Sequence, residues 1–268
     1  MRKAIVLDLD ETLRSLDVSN NGTDINVVLR PKLNDLLKKL EEVKEQGVDS
    51  IIYTSATSKS VKDYFLDKIP EKYRSIFTKI ISRDNYLEPK MGTRENYLYR
   101  AGRNKMVTVL DYDEILYFDD SDTEFKYLQL LFSKEYDLKY PIPNKAVLFA
   151  RLPFYPRMAA DMYALKEIAK QNEALREPIN EYFTLMTEEP GCKIMTEMID
   201  EFVSKDYDMK GLINLSNNKE FIKYEENLRT KNLEIKKEIV QDSKLREKYL
   251  KLKKDYYSKD KNENIKEM

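Results

Sequence analysis

Residues 4–16 read AIVLDLDETLRSL, an apolar run that gives way to three acids within four positions, Asp8, Asp10 and Glu11. Ala4 to Leu7 is a continuous β-favouring run and predicts a buried strand. In an open parallel sheet, ligands sit beyond the carboxyl ends of the strands, and Asp8 follows this one directly. Residues i and i+2 of an extended chain face the same way, so Asp8 and Asp10 can address one point above the sheet. Two carboxylates so placed repel unless a cation neutralises them, and hard oxygen ligands favour Mg²⁺. The same residues also suit an acidic turn in which Asp10 or Thr12 caps a helix. The rest of the chain has to decide between these readings.

Working outward, strand and helix signals alternate. Pro31 to Gln46 carries Leu33, Leu36, Leu37, Leu40 and Val43 at helical spacing, and Gly47 stops it. Ser50 to Tyr53 reads as a buried strand, Ser58 to Leu66 as a helix, and Phe77 to Ile81 and Ile115 to Phe118 as further strands. Such alternation predicts an α/β fold, a parallel sheet with helices on its faces. Beyond about residue 153 the apolar positions fall at helical intervals, punctuated at Pro178, Pro190-Gly191 and Gly211. The expected organisation is an α/β domain over residues 1–153 and a helical region over 154–268. Residues after Ser258 read as a frayed or disordered end.

Composition removes several classes of chemistry. The 268 residues contain no histidine and a single cysteine, Cys192. Ser-His-Asp and Cys-His hydrolases, HExxH peptidases and Cys-based zinc sites are therefore excluded. Lys and Arg number 47 against 48 Asp and Glu, so bulk attraction to nucleic acid or membrane is not indicated. From Lys219 onward there are 15 basic residues against 11 acidic, a mildly basic tail. Leu228, Ile235, Ile239, Tyr249 and Tyr256 recur there on a heptad grid, but Asn232, Asp242, Arg246 and Lys253 occupy intervening core slots. That pattern favours solvated helix packed on its own domain over a long coiled coil. No stretch approaches 18 consecutive apolar residues, and residues 1–13 are too acidic for a signal peptide. A soluble, cytoplasmic protein is expected.

Three further features stand at the ends of later strands. Thr54 ends Ile51-Ile52-Tyr53 and is followed by Ser55, Ala56 and Thr57, whose hydroxyls and amides could approach an anion or simply cap a helix. Asp119 and Asp120 end Ile115-Leu116-Tyr117-Phe118. A cation should accompany a phosphate site, and Lys105, 14 positions before Asp119, and Lys90 are both candidates.

The ordered set LDLDETL, IIYTSAT, Lys105 and ILYFDDSD resembles the haloacid dehalogenase superfamily. It looks most like the DxDx(T/V) branch, the small phosphatases that act on the carboxyl-terminal domain of RNA polymerase and on other phosphoproteins. Asp8, Asp10 and Thr12 match that motif, and VLRPKLNDLLKKL, residues 28–40, resembles the branch's entry into its first helix. The resemblance covers residues 3–135. It implies a Rossmann-like core in which Asp8 is the nucleophile of an aspartyl-phosphate mechanism and Asp10 the general acid and base. Thr54, Ser55 and Lys105 would bind the phosphoryl group. Mg²⁺ would sit among Asp8, the Asp10 carbonyl and Asp120, with Asp119 either binding the ion or supporting the residues that do. The branch often has Asn where Asp120 stands and a Trp beyond it, and this chain has no Trp.

Only 43 residues separate Asp10 from Thr54, and 50 separate Thr54 from Lys105, which leaves no room for a large cap domain. An uncapped site suits a macromolecular phosphomonoester, with phosphoserine or phosphothreonine in a protein favoured. A nucleic-acid end or a nucleotide is the alternative substrate, and a phosphatase-like scaffold without turnover is the alternative class. Retention of Asp8, Asp10, Thr54 and Asp120 speaks against the scaffold. Glu11 should point away from the site. Glu11→Gln is thus expected to leave turnover nearly intact in a phosphate-release assay, where Asp8 and Asp10 substitutions abolish it.

Overall fold

The computed structural model describes residues 1–18, 25–99, 104–134, 140–143, 145–153, 159–204 and 211–263. In chain order the elements begin with β1 (Lys3–Leu7), β2 (Arg14–Val18), β3 (Ile25–Leu29), α1 (Leu33–Glu45), β4 (Asp49–Tyr53), α2 (Ser58–Val61) and β5 (Phe77–Ile81). They continue with α3 (Arg94–Leu98), β6 (Glu114–Asp119), α4 (Asp122–Phe132), β7 (Ala146–Arg151), α5 (Ala159–Gln171) and α6 (Glu173–Thr187). The last are α7 (Gly191–Ser204), β8 (Gly211–Asn214), α8 (Lys219–Gln241) and α9 (Ser243–Glu263). A π-helical turn, Lys62–Leu66, extends α2 over the whole helix expected from Ser58.

Six strands form one sheet in the order β5-β4-β1-β6-β7-β8, and every neighbouring pair is parallel. The chain runs outward from β1 through β4 to β5, then returns to β6 on β1's other side. That reversal places a crevice beyond the carboxyl end of β1, between β4 and β6, where ligands of such sheets bind. The inner strands β1, β4, β6 and β7 are buried along nearly their whole length, without alternation, because both faces are covered. Ala4, Val6, Ile51, Tyr53, Ile115, Tyr117, Val147 and Phe149 enter one core with Tyr127, Leu128 and Leu131 of α4. On α1 the five apolar residues at helical spacing are all buried. Gly47, at φ 83°, adopts the left-handed conformation that ends this helix at little cost.

The chain forms two compact units, each assembled from several segments. One comprises residues 1–14, 32–155 and 191–218, the other 15–31, 156–190 and 219–268. This differs from the expected division at residues 153 and 154. Helix α7 packs on α1, and β8 pairs with β7 from Leu148↔Gly211 to Arg151↔Asn214, so residues 191–218 belong to the sheet unit. Spacing shows that α7 has an apolar face but not which unit covers it. Asn20-Asn21-Gly22 reads as a hairpin turn and lies outside the described residues, and the strands that flank it, β2 and β3, pair with each other.

The second unit packs α5, α6, α8 and α9 around Leu165, Ile168, Leu175, Ile179, Ile235, Ile239 and Tyr249. Pro178 lies inside α6 and does not end it. Asp242, one of the polar residues that break the heptad grid, separates α8 from α9. Its Oδ1 accepts from the amides of Lys244 (2.9 Å) and Leu245 (3.1 Å) and caps the second helix. Helix α9 reaches Glu263, past the fraying expected after Ser258. Among the described residues no helix is long and apolar enough to cross a membrane.

In this unit the Arg30 guanidinium donates two bonds to the Glu189 carboxylate, at 3.0 and 2.9 Å, and both side chains are almost fully buried. Removing one member of such a pair strands a charge, at a cost of about 3–5 kcal/mol, whereas removing both does not. Arg30→Met is therefore expected to lower stability by that amount in a urea titration. Arg30→Met with Glu189→Met should recover most of it.

Candidate active site

Strand β1 ends at Leu7, opposite Ile52 of β4 and Phe118 of β6. This register sets Asp8 level with Asp119 and puts Thr54 at the same edge of the sheet. The Asp8 amide donates to the Phe118 carbonyl at 2.9 Å, which fixes the backbone at the point where the side chain leaves it. Asp8, Asp119 and Asp120 each bring a carboxylate oxygen within 4.8 Å of the others. Asp8 and Asp119 are buried, and Asp120 is partly exposed.

Lys105 is the cation of this group. Its Nζ lies 2.6 Å from Asp8 Oδ1 and 2.6 Å from Asp119 Oδ2, with the side chain 7% exposed. Burial works against the ammonium, but Asp119 and Asp8 outweigh it, and the lysine is held above its ordinary pKa. Lys90 is exposed and lines a separate cavity with Thr93, Glu95 and Lys145, so of the two candidate lysines it is Lys105 that meets Asp8 and Asp119. Asp119 has both oxygens engaged. Oδ2 also accepts from the Tyr117 hydroxyl, and Oδ1 accepts from the Ser121 amide at 2.8 Å. The Tyr117 phenol is pushed well up by burial and by Asp119, which keeps it a donor. Asp119 thus anchors Lys105, and Asp120, beside the Thr12 hydroxyl at 3.4 Å, is the more open carboxylate.

Charge decides what else the group can hold. With all three carboxyls ionised, one ammonium would leave two negative charges. Burial raises the Asp8 carboxyl well above its ordinary value despite Lys105. A small divalent cation bound by oxygen would remove that imbalance, and the donor set suits Mg²⁺.

Thr54 is fully buried and its amide bonds the Ile81 carbonyl at 2.9 Å. The Thr54 Oγ1 accepts from the Ala56 amide at 3.1 Å, which leaves the hydroxyl proton to donate. Ser55 is exposed, and its carbonyl accepts from Arg83 Nε at 2.8 Å. Asp10 stands apart from the three converging carboxylates, although i and i+2 spacing suggested one shared point. The chain leaves extended geometry at once, with Glu11 at φ 60° and the Leu13 and Arg14 amides bonding back to the Leu9 carbonyl. That turn swings the Asp10 carboxylate to Arg14, whose Nε donates to Oδ1 at 2.8 Å.

Sequence reasoning missed Arg14, Tyr117 and Glu124. Tyr117 precedes Asp119 by two positions on the same strand face, a spacing that could have flagged it. Nothing in the sequence joins Glu124 to Lys105. The carboxylate Oε1 of Glu124 accepts from the Lys105 amide at 3.0 Å, and Oε2 is buried without a hydrogen bond. Burial first, and Asp119 next, raise its carboxyl from 4.5 to about 8.

A carboxyl raised in the fold binds its proton more tightly there than in the unfolded chain. Its contribution is complete below about pH 4.5 and is lost as pH rises toward about 8, at up to about 1.4 kcal/mol per pH unit. Glu124→Gln keeps an acceptor for the Lys105 amide and does not ionise. Between pH 5 and 8, in chelator, wild-type stability is expected to fall relative to the variant in parallel denaturant titrations.

Comparison with known proteins adds a family. The model for the NLI interacting factor-like phosphatases matches residues 3–155, more than half of the chain. No curated protein matches it. Among solved structures, one assigned as a 3-deoxy-D-manno-octulosonate 8-phosphate phosphatase from Vibrio cholerae shares 11% identity, covering 59% of this chain and 70% of that one at a TM-score of 0.32. An uncharacterized protein from Listeria monocytogenes serotype 4b shares 15% identity, covering 57% and 85% at a TM-score of 0.28. Likenesses this loose say nothing about activity.

Proposed function

We propose that this chain, which belongs to the NLI interacting factor-like phosphatases and is a phosphatase, hydrolyses phosphomonoesters on macromolecules through an Asp8 aspartyl-phosphate with Mg²⁺ bound. The observation that carries this reading is the buried Asp8 carboxylate at the end of the central strand, held by Lys105 and facing Asp119 and Asp120. Asp8, Asp119 and Asp120 would hold the ion, which would supply neutralisation of the phosphoryl oxygens as charge develops on them.

The chain's own residues divide the work. An Asp8 oxygen attacks phosphorus while the bond to the leaving oxygen breaks, and Asp10 gives that oxygen a proton. Asp10, now a carboxylate, takes a proton from the water that attacks the aspartyl-phosphate, and Asp8 and inorganic phosphate are released. The Thr54 hydroxyl and the Ser55 segment bind phosphoryl oxygens, and the Lys105 ammonium offsets their charge. Phosphoryl transfer depends on in-line positioning and charge neutralisation, so a chain without histidine can perform it.

The favoured substrate is phosphoserine or phosphothreonine in a protein of the cytoplasm. The short spans from Asp10 to Thr54 and from Thr54 to Lys105 support a site that a large substrate can enter. The test is release of phosphate from a generic aryl phosphate with Mg²⁺ and with chelator, followed by a panel of phosphopeptides and phosphate-ended oligonucleotides. Release that needs Mg²⁺ and favours phosphopeptides is expected. Preference for oligonucleotides would move the substrate to nucleic-acid ends, and no Mg²⁺-dependent release would leave the scaffold reading.

A further inference from the structure

We infer that Arg14 is a positioning residue for Asp10, tying the acid-base carboxylate of β1's loop to helix α2 beyond the phosphoryl-binding segment. Arg14 is fully buried, an unusual place for a side chain that does not lose its charge unless each part of it is partnered. Its Nε donates to Asp10 Oδ1 at 2.8 Å, Nη1 to the Ser60 carbonyl at 2.9 Å and Nη2 to the Ser60 hydroxyl at 3.0 Å. The guanidinium fork thus spans two segments that are 46 residues apart in sequence. Backbone contacts hold the near side in place: the Glu11 amide donates to the Arg14 carbonyl at 2.6 Å, and Asp10 and Arg14 form a β-bridge.

The consequence is geometric. With Oδ1 taken by Nε, the one remaining oxygen of Asp10, Oδ2, has no hydrogen-bond partner among the described residues, and the carboxyl is one-third exposed. Arg14 therefore presents a single oxygen to exchange a proton. It does so at an angle set by Ser60, three residues past Thr57, the cap of α2. A planar fork with three fixed donors does this where a lysine, a point charge on a flexible stem, does not. Ser60 shares the task through both of its oxygens.

This role rests on the proposed aspartyl-phosphate mechanism, and leaving-group dependence separates it from a general loss of structure. A proton donor matters most when the leaving oxygen is strongly basic, so a misplaced Asp10 should penalise poor leaving groups selectively. Hydrolysis of an aryl phosphate series from 4-nitrophenyl to phenyl would be followed with Mg²⁺ for wild type, Arg14→Met, Arg14→Lys, Ser60→Ala, Asp10→Asn and Arg14→Met with Asp10→Asn. For Arg14→Met, kcat on phenyl phosphate is expected to fall on the order of 10²-fold, and on 4-nitrophenyl phosphate less than about 10-fold, with KM little changed. Ser60→Ala should show the same ordering at smaller size, and the double variant should lose no more than Asp10→Asn. If Arg14→Met does not fold, Arg14→Lys and Ser60→Ala carry the test. Equal losses across the series, or additive losses in the double variant, would overturn the role of Arg14 while leaving the phosphatase mechanism in place. Wild-type release no greater than that of Asp8→Asn would overturn both.

Discussion

Asp8→Asn is expected to reduce Mg²⁺-dependent phosphate release by more than about 10⁴-fold, the scale seen when a nucleophile is removed. The amide keeps the size of the side chain but cannot attack phosphorus. The fold should persist. Lys105 retains Asp119 as its partner at 2.6 Å, and burial already disfavours the Asp8 anion. Melting in chelator should therefore be no lower for the variant than for wild type, while stabilisation by added Mg²⁺ should shrink, since one of three converging carboxylates is gone. Turnover within about 10-fold of wild type would remove Asp8 from the chemistry.

Lys105→Met should show the largest combined effect on stability and activity. Its ammonium is the counter-charge for two buried carboxylates, and among the described residues no other cation meets Asp119. Stripping the charge from such a group costs about 3–5 kcal/mol. Turnover should fall about 10²–10³-fold from the lost neutralisation of the phosphoryl oxygens. Mg²⁺ should restore more stability to this variant than it gives wild type, because the ion supplies part of the missing positive charge. Lys90→Met, at an exposed residue, should change stability by less than about 0.5 kcal/mol and leave turnover unchanged. Denaturant titrations and phosphate release on the two variants together check both statements.

Most of the sheet's centre is readable from local sequence. Phe77 to Ile81 is found with the same bounds, and the strands expected from Ala4, Ser50 and Ile115 each differ by a residue at their ends. Buried strands announce themselves as apolar runs, and α1 as five apolar residues on one face. Helix α7 and strand β8 were harder because their partners are remote. The four residues of β8 carry no pattern of their own, and their place at the sheet edge depends on β7. The carboxylate positions Asp8, Asp119 and Asp120 were legible because each stands at or just past the end of a strand, and parallel register brings strand ends together. The orientation of Asp10 was not, since it depends on the turn at Glu11 and on a guanidinium anchored 46 residues away. Glu124 was missed for the same reason: an acid in the first turn of a helix is ordinarily read as a partner of the helix dipole.

The central claim is that phosphorus passes through Asp8, and covalent trapping tests it most directly. Wild-type protein mixed with excess aryl phosphate and Mg²⁺ would be quenched within one turnover, treated with borohydride and mapped by peptide mass. Reduction of an acyl phosphate should convert Asp8, and no other residue, to homoserine, with no conversion in Asp8→Asn or in chelator. Full turnover without any reduced Asp8, or with the label on another residue, would contradict the account.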